Sequence, residues 1–140
     1  MASENASPKI TVRPKEVEYA IKLLLTSLVF GAVLGYSNIS VSPDNEKFMI
    51  YSYIILLGLL FNGYFAYKIS QNRNWARKFY IVFTLISLII YVPQLTTLFL
   101  ATPFNGFLQL VNMLLQLIAV YFLMQKETKE WFLLINNKNL

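Results

Sequence analysis

The sequence predicts an all-α membrane protein: an antiparallel four-transmembrane-helix bundle with both termini cytoplasmic. Three observations carry that expectation. The 140-residue chain is 56% hydrophobic and only 14% charged, whereas a soluble domain carries about 25% charged residues. Its mean hydropathy is +0.51. Its charges are missing from three long stretches, residues 23–43, 48–67 and 79–125. Disorder is excluded, because disordered chains are poor in aliphatic residues and rich in charge. A single domain is the natural expectation at this length.

The elements follow from bilayer geometry. A helix rises about 1.5 Å per residue, so about 20 apolar residues cross a hydrocarbon core of about 30 Å. The first stretch accommodates one span, 17–36, if Lys22 snorkels its ammonium to the interface. The second accommodates one span, 48–67. The third is too long for one crossing and right for two. It breaks at Ala101-Thr102-Pro103, because proline lacks an amide donor and disfavours the helical region for its predecessor. The expected spans are then 79–100 and 104–124. Residues 1–16 form a polar tail, 17–125 the membrane domain, and 126–140 a second tail. The apolar runs do not alternate at period two, which argues against a membrane β-barrel. The first span reads as retained rather than as a signal peptide. Its polar lead carries three glutamates, and no small-x-small cleavage site follows.

The basic residues set the orientation. Lys9, Arg13, Lys15 and Lys22 precede or open the first span. Lys68, Arg73, Arg77 and Lys78 occupy the link between the second and third. Lys126, Lys129 and Lys138 follow the fourth. Four crossings place these three segments on one side, with eleven of the twelve basic residues; the other side receives Lys47 alone. The positive-inside rule assigns that basic side to the cytoplasm. The net charge of +5 is therefore a topology signal, and no compact basic patch interleaved with aromatics points to nucleic acid. Aromatic residues mark the expected boundaries: Tyr19 and Tyr36, Tyr51, Tyr53, Tyr64 and Tyr67, Trp75 and Tyr80, and Trp131.

Several constellations stand out within the spans. Ser27, Gly31 and Gly35 form a small-xxx-small row that lets two backbones approach closely, within the chain or between copies. Asn105, Gln109, Asn112 and Gln116 recur at i, i+4, i+7 and i+11, one face of the fourth helix. Thr84, Ser87, Tyr91 and Gln94 make a fainter row on the third, and Asn62 with Gly58 a polar spot on the second. Carboxamides facing lipid would be unpaired, so this polar intramembrane face should point inward or toward a partner. It is a hydrogen-bonded packing seam, a polar pathway or a docking face. Pro93 is expected to kink the third helix and free a carbonyl, with Gln94, Thr96 or Thr97 as candidates to satisfy it. Asn38-Ile39-Ser40 matches a glycosylation sequon, but it abuts the membrane and reads as chance; Asn5-Ala6-Ser7 falls on the cytoplasmic side.

Arg73, Trp75, Arg77 and Trp131 read as interfacial anchors, with indoles at headgroup level and guanidiniums for phosphates. Here the chain resembles a set of small, mostly uncharacterised four-helix bacterial inner-membrane proteins. The matching elements are Arg73-Asn74-Trp75-Ala76-Arg77 in the central link and Lys129-Glu130-Trp131-Phe132 after the last span. The resemblance covers about residues 55–132. It implies a bacterial inner-membrane location and no particular activity.

The absences narrow the function classes. The chain has no cysteine and no histidine. Disulfides, thiolate nucleophiles and imidazole or thiolate metal sites are therefore excluded, and no cofactor is expected. The carboxylates Glu16, Glu18, Asp44, Glu46, Glu127 and Glu130 lie at or beyond the span boundaries, so an enzyme is the weakest reading. Glu127 and Glu130, beside Lys126 and Lys129, read as a solvated helix end. The first expectation is a non-catalytic membrane interaction protein whose partners are the bilayer and another membrane protein or itself. It would be an immunity protein against a membrane-targeting toxin or a small accessory subunit. The alternative is an oligomeric channel or transporter component for a small solute.

Overall fold

A computed structural model describes residues 12–40 and 45–138. The stretches 1–11, 41–44 and 139–140 lie outside the described residues, as do the side chains of 38–40, 45–48, 51 and 138. The Asn5 and Asn38 sequons, Lys9, Asp44, Glu46, Lys47, Tyr51 and Lys138 fall there. The described chain is helical, with five helices: α1 (Lys15–Ser40), α2 (Asn45–Ser70), α3 (Asn74–Ala101), α4 (Pro103–Met124) and α5 (Lys126–Lys138). The first four are long and apolar enough to cross a membrane.

Each break between helices has a local cause. After α2, the Asn72 N–H donates to Ile69 O (2.9 Å) and the Arg73 N–H to Lys68 O (3.2 Å). These two bonds form the Schellman closure, whose pivot residue takes a left-handed backbone. Asn72 is that residue, at φ 63°, and asparagine tolerates the conformation better than most side chains. Between α3 and α4, Thr102 leaves helical geometry and Pro103 opens α4, where its missing N–H costs nothing. Within α3 the helix runs through Pro93 without a break. The neighbouring threonines do not rescue the carbonyl that proline frees one turn earlier. Thr96 Oγ1 donates to Pro93 O (2.9 Å) and Thr97 Oγ1 to Gln94 O (2.7 Å) instead.

The long helices pack antiparallel, α1 against α2 and α4, and α3 against α4. Within the Ser27–Gly31–Gly35 row, the two glycines face α2 of the same chain. A Cβ at Gly31 would sit 3.8 Å from the Leu59 side chain, and one at Gly35 would sit 2.5 Å from Ile55. The second spacing is too short for any side chain, so glycine there sets how closely α1 and α2 approach.

The tightly packed core lies at one end of the molecule. Val17, Ala20 and Leu24 of α1 meet Phe65, Ala66 and Ile69 of α2, Ala76 and Tyr80 of α3, and Ala119, Val120 and Leu123 of α4. Trp131 and Phe132 of α5 complete it. The sequence alone placed residues 126–140 in a tail and ended the bundle at four helices. The chain instead turns at Gln125 and lays a fifth helix against that end, because Thr128, Trp131 and Phe132 share one buried face.

Candidate functional site

Beyond the packed end, the four long helices surround a partly open cavity of about 630 Å³. Each helix contributes to its wall: Ser27, Gly31 and Leu34 from α1, Ile55, Gly58 and Asn62 from α2, Thr84, Ser87 and Tyr91 from α3, and Gln109, Asn112 and Gln116 from α4. The spacing of the α4 carboxamides explains why they converge. Residues at i, i+3 and i+7 point one way from a helix, and on α4 that way is inward. Among the described residues, no Asp, Glu, Lys or Arg lines the cavity.

The polar groups divide by how well they are paired. Ser27 Oγ donates to Leu24 O (2.9 Å) and Asn62 Nδ2 to Gly58 O (2.9 Å), each within its own helix. Asn112 is different: it is 8% exposed, and its Oδ1 is buried without a hydrogen-bond partner among the described residues. Gln109 and Gln116 stand one turn to either side and make no hydrogen bond within the described chain.

The cavity has a floor and a mouth. On the side toward the packed end, the lining rings of Phe61 and Phe83 meet with centroids 4.4 Å apart. At the other end Gly35 and Ile55 bring α1 and α2 together. The mouth lies between α2 and α3. Lining residues on α1 and α4 are buried or half-buried, whereas Ile54, Leu57 and Gly58 of α2 and Tyr91 of α3 line the cavity and are also exposed.

Four of the six carboxamides singled out from the sequence, Asn62, Gln109, Asn112 and Gln116, thus reach one cavity. The other two do not. Asn105 is buried near the start of α4, where α3 and α4 approach so closely that a Cβ at Gly106 would lie 2.8 Å from the Phe99 ring. Gln94 lies one turn beyond Tyr91 on the same face of α3, past the cavity wall, and is exposed, within a stretch of α3 (89–94) exposed at every position.

The four residues read as headgroup anchors also divide. Arg73 and Trp75 are exposed. Arg77 and Trp131 are not: they are 5% and 3% exposed. Arg77 Nη1 donates to Leu123 O (2.9 Å), its Nε donates to Asn74 Oδ1 (3.2 Å), and its guanidinium lies 5.4 Å from the Phe132 ring centroid. Tyr80, expected at the same interface, is buried in the core. The physical reason is the unfinished C-terminus of α4. Its last carbonyls lack partners within the helix, and they recruit Arg77 at Leu123 and the Thr128 hydroxyl at Phe122 (2.9 Å). Docked α5 then covers what they hold. Arg13, read from the sequence only as part of the basic N-terminal segment, joins the same end. It donates to Ser70 O (2.6 Å) and Asn72 Oδ1 (3.0 Å), and lies 5.9 Å from the Trp131 ring centroid. Lys22 reaches back one turn to Glu18 (2.7 Å), the direction in which a snorkelling lysine leaves an apolar zone.

No protein-family model, curated protein or solved structure matches this chain.

Proposed function

We propose that this chain is a non-catalytic integral membrane protein that acts by binding another membrane protein, and that it resides in a bacterial inner membrane with both ends in the cytoplasm. The charge distribution supports the orientation. The contacts of Arg13 with Ser70 and Trp131 gather the start of α1, the α2–α3 turn and α5 at one end, where the basic residues concentrate. The positive-inside rule makes that end cytoplasmic. The resemblance carried by residues 73–77 and 129–132 supports the bacterial location.

The observation that carries the binding role is the outer half of α3. Gln94 lies about seven residues beyond the middle of α3, about 10 Å along its axis. In a bilayer centred on that helix, its exposed carboxamide lies at hydrocarbon depth with no hydrogen bond from the described residues. Such a group loses its water and gains nothing in return. A polar side chain on a neighbouring helix removes that penalty, with a net gain of about 0.6 kcal/mol per bond in membranes. Two biological forms suit such a protein: an immunity protein that blocks a membrane-inserting toxin, or an accessory subunit of a larger membrane complex.

Site-specific photo-crosslinking in native membranes tests the reading. A photoreactive residue at position 90 or 94 should yield one discrete heavier species, and the same residue at exposed position 29 on α1 should not. The product from position 90 should weaken on Gln94→Leu. Lipid adducts alone from positions 90 and 94 would defeat the proposal. The carboxamides at 109, 112 and 116 favour a second reading, in which oligomers pass a small polar solute. Purified protein in liposomes should then support a flux that the double variant Asn112→Leu, Gln116→Leu changes; an identical flux removes that reading.

A further inference from the structure

We infer that the cavity binds an uncharged, lipid-soluble molecule with a hydroxyl-bearing head, admitted sideways from the bilayer between α2 and α3. This goes beyond the partner-binding role and rests on different residues, since Gln94 does not line the cavity. Protein interiors are close-packed, with few voids larger than a water molecule. A space of about 630 Å³ lies instead within the range of small-molecule pockets, about 300–1,000 Å³.

The wall selects the chemistry. With no Asp, Glu, Lys or Arg among the described lining residues, a charged head would be buried without compensation. A purely hydrocarbon guest would leave Asn112, Gln109 and Gln116 unpaired, and an unmet buried polar group is costly. A hydroxyl both donates and accepts, so it can meet a carboxamide in either orientation. The apolar remainder of the guest has Leu28, Leu34, Ile55, Leu59, Leu88 and Met113 to lie against. The route follows from exposure. The lining residues that also face outward belong to α2 and α3, and both helices are apolar enough to face lipid there. A guest already dissolved in the bilayer therefore reaches the carboxamides without crossing water.

The test uses the full chain in phosphatidylethanolamine–phosphatidylglycerol nanodiscs, with a diazirine-bearing para-octylphenol as photoprobe and adducts located by mass spectrometry. Labelling should concentrate in the segments around Ser27, Leu88 and Met113 and be suppressed by excess para-octylphenol. Para-octylanisole, the same chain with its O–H methylated, should compete about tenfold less well, the scale of one hydrogen bond. Gly58→Phe should abolish the suppressible labelling while preserving helix content and elution volume, because Gly58 lines the cavity and a Cβ there meets no atom within 4 Å. Asn112→Leu with Gln116→Leu should make the phenol and the ether equal competitors. The inference is overturned if adducts scatter over outward residues such as Val29 and Ile89 and ignore the competitor. Equal competition by the ether against the unaltered protein, or unchanged labelling of folded Gly58→Phe, would overturn it too. Each of these outcomes is independent of whether positions 90 and 94 crosslink to a protein.

Discussion

Arg77 answers a need created by a different helix. The carbonyl of Leu123 stands in the last turn of α4, where no further amide follows to satisfy it. A guanidinium there supplies a donor and a positive charge at the negative end of the helix dipole. Its flat face also meets the Phe132 ring, so one side chain joins α3, α4 and α5. Lysine keeps the charge but has neither the planar fork nor the stacking face. Arg77→Lys should therefore lower stability by about 1.5–3 kcal/mol, the range for a hydrogen bond to a charged group. The loss should appear as a lower midpoint of thermal unfolding in detergent and as faster tryptic cleavage after Lys126 and Lys129. Cleavage rates identical to those of the unaltered chain would show that Arg77 does not hold α5 in place. From the sequence, Arg73-Asn74-Trp75-Ala76-Arg77 offers two arginines of equal standing. Only the position of α4 distinguishes the exposed Arg73 from the buried Arg77.

At the scale of elements, the turn between α2 and α3 turns on Asn72. Its left-handed backbone costs an L-residue with a Cβ about 1–2 kcal/mol, and less for asparagine. Asn72→Ala should destabilise the protein by about 1 kcal/mol, while Asn72→Gly, which adopts that conformation freely, should restore most of the loss. Both variants remove the acceptor for Arg13, so the difference between them isolates the backbone. Equal unfolding midpoints for the two would mean that the Arg13 contact, not the conformation, matters. α5 teaches a related lesson. Lys126-Glu127-Thr128-Lys129-Glu130 reads as a solvated end, and Lys126 and Glu130 do form an exposed pair (3.8 Å). The buried face formed by positions 128, 131 and 132 was nonetheless present as helical spacing. What hid it was composition: a threonine among four charges gives little sign that it will lie at 0% exposure.

For the whole molecule, the packed core occupies one end and the polar cavity the middle. Helix spacing produces that division. α2 and α3 join through the short turn at 71–73 and through the Phe61–Phe83 contact, and beyond it they leave a gap rather than a seam. The proposed orientation makes a direct prediction at this scale. The chain has no native cysteine, so single cysteines introduced at Lys15, Thr102 and Asn137 can be probed cleanly with a membrane-impermeant maleimide. Lys15→Cys and Asn137→Cys should label only after cells are opened, and Thr102→Cys should label in intact spheroplasts. Opposite behaviour of positions 15 and 137 would refute four crossings.

The sequence by itself determined where the chain can lie in lipid. Charge-free runs of bilayer length mark four apolar helices, and Pro103 marks the break between the last two, because both signals depend on local chemistry. It also gathered the α4 carboxamides onto one face, since the helical repeat is a local property. Only the tertiary structure decided what that face meets. A period of 3.6 residues says which side chains share a stripe, and nothing of whether the opposite helices close against it or stand apart. Packing between distant segments left Asn112 unpaired beside a cavity, turned Arg77 and Trp131 inward, and left Gln94 exposed.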